Sequence, residues 1–293
     1  MSQSLSHAAL ATKQAVDVRL LPSRSKRAAR VPREELENRL AALQKDYAEL
    51  HTEIFEAAQV HRRLCAPRLV RRGEFEIASE IFAVRHLPGD FFTVDETSNG
   101  NVIFALGDIC GKGLAAGMWT THLVGLVGAR VAVTTDPESI AAGVNRDICL
   151  MRSILPLASL FVAKLDPATG ILTYCSAGHP PALLLRANGK LELLSEGGML
   201  LGVVAATPYV RGRCELGPGD VLMVYSDGIT ESQNCAGEEF GDARLEAQLR
   251  LTQSGDANAM LFSMLGSVQD FAAASPLVDD MTLAIIRRDR RSW

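Results

Sequence analysis

The sequence predicts an α+β fold that follows a long N-terminal coiled-coil helix, and three patterns lead to this prediction. Predicted strands cluster toward both ends of residues 67–293, and predicted helices come in pairs between them. The strict alternation of strand and helix that is typical of a parallel sheet is absent. An unbroken heptad pattern precedes the strands. We therefore expect a mobile basic lead-in over residues 1–31, a helix over 32–66 and a folded domain over 67–293.

The helix over residues 32–66 is predicted from its heptad spacing. Its seam residues are separated alternately by four and three positions, and charged and amide side chains occupy the other faces. The seam consists of Leu36, Leu40, Leu43, Tyr47, Leu50, Ile54, Ala57, His61 and Leu64. Because this stripe is narrower than the face that a helix usually packs on a domain, we expect a coiled-coil homodimer through residues 33–65 with a regulatory role. The alternative is a single amphipathic helix that packs on the domain.

The elements of the domain are predicted from apolar runs between turn sequences, such as the hairpin turn Ser98-Asn99-Gly100. The predicted strands are Glu76–Val84, Phe91–Glu96, Val102–Leu106, Leu160–Leu165, Leu172–Ser176, Ala182–Arg186, Leu191–Leu194, Val221–Tyr225 and Met281–Arg287. The predicted helices are Gly113–Val133, Pro137–Arg152, Arg244–Leu251 and Ala257–Ala274. Strands thus outnumber helices, and no internal repeat is present.

Composition and charge exclude several classes of protein. The 293 residues are 47% hydrophobic and 22% charged, and their net charge of −4 disfavours a protein that coats nucleic acid. No apolar run reaches the roughly 18–20 residues that cross a bilayer, and the first residues lack the apolar segment of a secretory signal. The six cysteines form no CxxC pair, which suits a reducing compartment. We expect a cytoplasmic protein that neither binds nucleic acid nor spans a membrane.

Aspartates at strand ends and in tight turns are the candidate functional residues. They are Asp90, Asp108, Asp227, Asp279 and Asp280. An Asp that ends an apolar strand projects from the rim of a sheet, where several such side chains can converge. Converging carboxylates repel one another and require a cation, and a ligand set of oxygens alone favours Mg²⁺ or Mn²⁺. The alternative is that each Asp is a turn residue or a helix cap.

Six motifs flank these aspartates in order along the chain. They are PGDFF at 88–92, GDICGKG at 107–113, SAGHPP at 176–181, LGPGD at 216–220, SDGITE at 226–231 and DDMT at 279–282. The series resembles the bacterial PPM-type (protein phosphatase 2C-like) serine/threonine phosphatases of the SpoIIE/RsbU branch. The resemblance covers about residues 60–288. It implies a β-sandwich of two antiparallel sheets that is flanked by helix pairs.

The resemblance also implies a site for two Mn²⁺ or Mg²⁺ ions. The implied metal ligands are Asp90, Asp108, Ile109 through its backbone carbonyl, Asp227, Asp279 and Asp280. Asp108 would bridge the two ions, and Asp280 would be either an alternative to Asp279 or a support for a ligand. Asp108, Asp90 and Asp227 would be the catalytic residues. His179 is expected to have a structural role rather than that of a general acid, and Lys112 either contacts substrate phosphate or is solvated.

The activity implied by the resemblance is metal-dependent hydrolysis of phosphoserine or phosphothreonine. The attacking group would be a hydroxide that bridges the two ions. The substrate would be a phosphorylated regulatory protein, such as an anti-sigma factor antagonist, and we expect an activating protein partner because the helix leads directly into the domain. The alternatives are a pseudophosphatase, or a coiled-coil signalling adaptor, that binds a phosphoprotein without turnover.

Overall fold

The computed structural model describes residues 32–65, 69–151, 157–273 and 275–290. Contacts divide the chain into two units, Met1–Leu50 and His51–Trp293. The predicted lead-in over residues 1–31 and the predicted boundary between residues 66 and 67 lie outside the described residues.

The predicted N-terminal helix is confirmed as α1, Arg33–Cys65. In the first unit its seam side chains from Leu36 to Leu50 are 53–68% exposed. In the second unit the same helix buries His61 and Cys65, so its last turns pack on the domain. The coiled coil and the dimer stay predictions.

The domain consists of twelve strands and five further helices within the described residues. The strands are β1 (Leu69–Arg72), β2 (Phe75–Phe82), β3 (Asp90–Glu96), β4 (Val102–Ile109), β5 (Ala158–Leu165), β6 (Ile171–Ala177), β7 (Ala182–Leu185), β8 (Leu191–Leu194), β9 (Gly197–Gly198), β10 (Gly212–Glu215), β11 (Val221–Tyr225) and β12 (Met281–Arg288). The helices are α2 (Leu114–Val131), α3 (Pro137–Leu150), α4 (Asp227–Thr230), α5 (Gly241–Thr252) and α6 (Ala257–Ala272).

The strands form two sheets, and the antiparallel architecture is confirmed. The first sheet has the order β1-β2-β12-β11-β7-β8, and the second has the order β10-β6-β5-β4-β3. The short β9 adds to β6 in parallel, whereas the other strand pairs are antiparallel. The predicted α+β class with two antiparallel sheets and helix pairs therefore holds.

Three apolar layers hold the sheets and helices together. Between the sheets, Phe75, Leu222 and Ile286 of the first sheet pack with Phe104 and Phe161 of the second. On the outer face of the second sheet lie buried side chains of α2 and α3, and on the outer face of the first lie those of α5 and α6. Because each sheet is covered on both faces, its central strands, such as β5 and β11, are buried at nearly every position rather than at alternate ones.

The structure corrects the ends of several predicted elements. Strand β4 continues past Leu106 to Ile109, so Asp108 lies within a paired strand instead of following it. The sequence analysis missed β1, β9, β10 and α4, which are short and whose pairing depends on neighbouring elements. The predicted helix ends at Arg152 and Ala274 lie outside the described residues. Among the described helices, none combines the length and the apolar character needed to cross a membrane.

Candidate metal centre

Two of the predicted ligands face each other across a strand pair. Asp90 is the first residue of β3, and it pairs with Asp108 near the end of β4. Asp90 is 1% exposed, and its Oδ2 atom has no hydrogen-bond partner among the described residues. A buried polar atom without a partner is costly unless a bound group satisfies it. The pair therefore has a buried oxygen atom that a bound group could satisfy.

The two carboxylates change each other's protonation. Burial, and then the charge of Asp108, raises the pKa of Asp90 well above its usual range. Burial raises the pKa of Asp108 to about 6, and the charges of Asp227, Asp279 and Asp280 act in the same direction. The side-chain hydrogen bond between the two carboxyl groups lowers the pKa of Asp108 and raises that of Asp90. A nearby cation would reverse these shifts because it favours the ionised carboxylates.

Backbone oxygens converge on the same place. A Cβ atom on Gly89 would lie 3.2 Å from the carbonyl oxygen of Ile109, 3.3 Å from that of Gly111 and 3.5 Å from Oδ1 of Asp108. Glycine at position 89 thus leaves open a space that three oxygen atoms surround. Carbonyl and carboxylate oxygens are the ligands that hard divalent ions prefer.

A second group of carboxylates comes from the first sheet. Asp227 begins α4, two residues after β11, and Asp279 lies two residues before β12. Burial and the charge of Asp279 raise the pKa of Asp227. The Nζ atom of Lys112 lies 2.7 Å from Oδ2 of Asp279 and also donates to the backbone carbonyl of Val278. The five aspartates Asp90, Asp108, Asp227, Asp279 and Asp280 are called the carboxylate rim below. The structure therefore places Lys112 at this carboxylate rim rather than free in solvent.

Asp280 differs from its neighbour Asp279 because the backbone engages both of its oxygens. Oδ1 accepts a hydrogen bond from the N–H of Val84 at 2.7 Å, and Oδ2 accepts one from the N–H of Gly89 at 2.6 Å. These bonds lower the pKa of Asp280, although burial raises it more. The side chain thus ties the start of β12 to the segment that leads into Asp90.

Three hydroxyl side chains near the site were missed by the sequence analysis. The hydroxyls of Ser226 and Thr282 face Asp90 and favour its charged form, which lowers its pKa. Thr120 of α2 donates to the carbonyl of Gly89 at 2.7 Å. One sequence signal was available for Thr282, which interrupts the apolar run that begins β12, and the structure shows that it is fully buried.

His179 is buried in the segment between β6 and β7. Its Nδ1 atom lies 2.7 Å from the hydroxyl oxygen of Ser159. Burial lowers the pKa of His179 to about 3, so the ring is neutral at neutral pH. A buried neutral ring does not suit a general acid that must reach a substrate at the surface.

The five aspartates come within electrostatic reach of one another, because Asp108 is influenced by each of the other four. Nowhere in the described part of the chain do three or more His, Cys, Asp or Glu side chains have the spacing of a formed metal site. Because like charges repel, a bound cation would stabilise this group of carboxylates. The partnerless oxygen of Asp90 and the donor set of oxygens alone fit Mg²⁺ or Mn²⁺.

Comparisons with known proteins agree with this architecture. Residues 98–289, well over half of the chain, match the family model of Stage II sporulation protein E (SpoIIE). Phosphoserine phosphatase RsbU of Bacillus subtilis (strain 168) is 24% identical over 248 residues, which cover 82% of this chain and 71% of RsbU. Protein IcfG of Synechocystis sp. (strain ATCC 27184 / PCC 6803 / Kazusa) is 21% identical over 267 residues, 81% of this chain. The matched region spans only 42% of IcfG's own length.

Among solved structures, the SiaA-PP2C domain of Pseudomonas aeruginosa superposes with a TM-score of 0.72 at 16% identity. The match covers 85% of this chain and 100% of that domain. The two covered sheets, with carboxylates at one rim, define the fold class of the PPM (PP2C) phosphatases. Within that class, the chain belongs to the SpoIIE family.

Proposed function

We propose that the chain is a metal-dependent protein serine/threonine phosphatase. The observation that carries the proposal is the buried Asp90–Asp108 pair, which has a partnerless oxygen and lies within a rim of five carboxylates. Asp90, Asp108 and the carbonyl of Ile109 would hold one ion, and Asp108, Asp227 and Asp279 the other. Asp280 would support Asp90 rather than bind an ion, since each of its oxygens accepts a hydrogen bond from a backbone N–H.

Divalent ions bound here would supply an activated water and neutralise charge on a phosphoryl group. The residues of the chain would orient the phosphoryl group and select the polypeptide that carries it. Lys112 places a positive charge at the rim, where a phosphoryl oxygen would compete for it with Asp279. Leu114 and Met118 of α2 and Val278 beside Lys112 are exposed apolar side chains, which suit contact with a polypeptide around the phosphorylated residue.

The substrate that we propose is phosphoserine or phosphothreonine on a regulatory protein, such as an anti-sigma factor antagonist. The likeness to RsbU, described as a phosphoserine phosphatase, supports this class of substrate. We further propose a homodimer through residues 33–65, an activating protein partner and a cytoplasmic location, with Mn²⁺ or Mg²⁺ as the ions. The exposed seam of α1 supports the dimer.

The test is hydrolysis of p-nitrophenyl phosphate and of a phosphoserine peptide by the full chain, with Mn²⁺, with Mg²⁺ and with EDTA. We expect metal-dependent turnover that falls at least about 100-fold in Asp108→Asn. Asp95→Asn is the matched control, because Asp95 lies on the same strand β3 outside the carboxylate cluster. It should retain the activity of the original chain.

Calorimetric titration with Mn²⁺ separates the alternatives. Folded protein that binds no Mn²⁺ would refute the proposal. Protein that binds Mn²⁺ without hydrolysing either substrate would leave two alternatives, the need for the proposed activating partner and the pseudophosphatase.

A further inference from the structure

The segment that joins the two sheets contacts the cross-strand partner of Asp108. It connects β6 of the second sheet to β7 of the first, and His179 lies in it with 6% of its surface exposed. The hydroxyl of Ser176 donates to the backbone carbonyl of His179 at 3.1 Å. The N–H of Gly178 donates to the carbonyl of Gly198 at 3.0 Å, and Gly178 has a φ of +64°. The backbone of this segment is thus held on the side of the second sheet.

The imidazole ring reaches toward both sides of the carboxylate rim. Its Nδ1 atom lies 2.7 Å from the hydroxyl oxygen of Ser159, and Ser159 on β5 is the direct cross-strand partner of Asp108. The ring also faces the backbone carbonyl of Tyr225, which favours the protonated ring. Tyr225 is the last residue of β11 and lies two positions before Asp227.

The bond to Ser159 is the side-chain hydrogen bond that anchors the ring, because the other ring nitrogen, Nε2, has no hydrogen-bond partner within the described residues.

We propose that His179 is a positioning residue that holds the Asp108 strand in place for metal binding. It acts through its bond to Ser159, the cross-strand partner of Asp108, and touches neither substrate nor ion. The inference rests on the proposed function, since it concerns the same carboxylates. Groups that orient metal ligands typically change metal affinity by about 10- to 100-fold when they are removed.

The experiment measures the Mn²⁺ dissociation constant of the full chain by calorimetry without substrate, alongside the unfolding temperature in EDTA. We expect His179→Ala to raise the dissociation constant about 10-fold or more. His179→Asn should recover part of the loss, because its amide can still bond to Ser159. Ser159→Ala should raise the constant by a smaller factor, about 3-fold, and should add little to His179→Ala since both remove the same link.

Asp220→Asn is the matched control. Asp220 is a buried residue at the other end of β11, where it accepts hydrogen bonds from the N–H groups of Ala187 and Gly217. It should lower the unfolding temperature and leave the Mn²⁺ affinity unchanged.

Three outcomes decide the inference. Unchanged Mn²⁺ affinity in a folded His179→Ala variant would overturn it and leave His179 a packing residue. If that variant does not fold, unchanged affinity in Ser159→Ala would overturn it equally. An original chain that binds no Mn²⁺ would instead refute the proposed function itself, and the inference would fall with it.

Discussion

Asp279 and Asp280 are adjacent residues of the same type, yet their neighbours give them different properties. Both oxygens of Asp280 accept backbone hydrogen bonds, and this side chain is 5% exposed. Asp279 is about one-third exposed; its Oδ2 pairs with Lys112 across the rim, and its Oδ1 accepts a single backbone hydrogen bond, from the N–H of Asp280. The chemistry of a carboxylate here depends on which atoms already satisfy it. The two positions should therefore respond differently to the same substitution.

We expect Asp280→Asn to destabilise the fold and Asp279→Asn to weaken metal binding. An amide at position 280 presents an NH₂ group to a backbone N–H, which costs about 1–3 kcal/mol of unfolding free energy. Asp279→Asn removes a charge at the rim and keeps one side-chain oxygen to accept the hydrogen bond from the N–H of Asp280. Chemical denaturation in EDTA measures the loss of stability, and titration with Mn²⁺ measures the loss of metal binding. Equal loss of stability in both variants would contradict the assignment.

A second prediction concerns Asp108 without metal. Its pKa is about 6 in the folded chain and about 3.9 when unfolded. Between these values the folded state holds the proton more tightly, so stability falls as the pH rises through this window. In EDTA at pH 7.5, Asp108→Asn should therefore raise the unfolding free energy by about 1–3 kcal/mol.

This gain of Asp108→Asn should disappear near pH 4, where Asp108 is protonated in the original chain. Denaturation curves at the two pH values provide the check. A variant less stable than the original chain at pH 7.5 in EDTA would show that repulsion at Asp108 is not a destabilising feature of the fold.

At the scale of elements, the site depends on a close approach between the short helix α4 and the segment before β12. A Cβ atom on Gly228 would lie 2.0 Å from the backbone carbonyl oxygen of Asp280. No real side chain tolerates this distance, so glycine at 228 lets Asp227 and Asp279 come from separate elements to one rim. The motif SDGITE therefore contains a packing requirement as well as a carboxylate.

We expect Gly228→Ala to destabilise the fold by about 2–3 kcal/mol and to weaken Mn²⁺ binding, because the backbone of Asp280 must move away. Gly125→Ala is the matched control. Gly125 lies on the exposed side of α2, where a Cβ atom would project into open space, and alanine there should add about 0.5–1 kcal/mol. Circular dichroism melts and Mn²⁺ titration of both variants test this contrast.

At the scale of the whole molecule, oligomeric state is the main open prediction. The seam of α1 from Leu36 to Leu50 is exposed in the first unit. Ion pairs between residues four apart, Arg33–Glu37, Glu35–Arg39 and Lys45–Glu49, lie on the helix surface and each contributes only a few tenths of a kcal/mol. A long helix with an exposed apolar stripe gains more from a partner helix than from such pairs.

We expect the full chain to sediment as a dimer and the double variant Leu40→Glu/Leu43→Glu as a monomer, because charges at seam positions are buried on pairing. The control is Ala41→Glu/Lys45→Glu, which places charges on the same helix outside the seam. It should remain a dimer. An original chain that is monomeric at every concentration used for analytical ultracentrifugation would refute the coiled coil.

Much of the molecule could be predicted from local patterns. The apolar runs of β2, β5, β11 and β12 and the heptads of α1 each lie within one continuous segment, and local order depends on neighbours in sequence. The motifs around Asp90, Asp108 and Asp227 are likewise continuous in sequence, so they can be recognised without the structure. The SpoIIE family membership expected from those motifs is confirmed.

The end of β4 and the contacts of Asp280 and His179 depend on residues that are distant in sequence. Nothing local to Asp108 indicates that its strand continues to Ile109, since that extension comes from pairing with Asp90 on one side and Ser159 on the other. The sequence by itself determined the fold class, the α1 helix and the carboxylates that are available. Only the tertiary structure decided that Asp280 is engaged by Val84 and Gly89 and that His179 is bonded to Ser159. These contacts join residues distant in sequence, and a hydrogen bond depends on where folding places both partners.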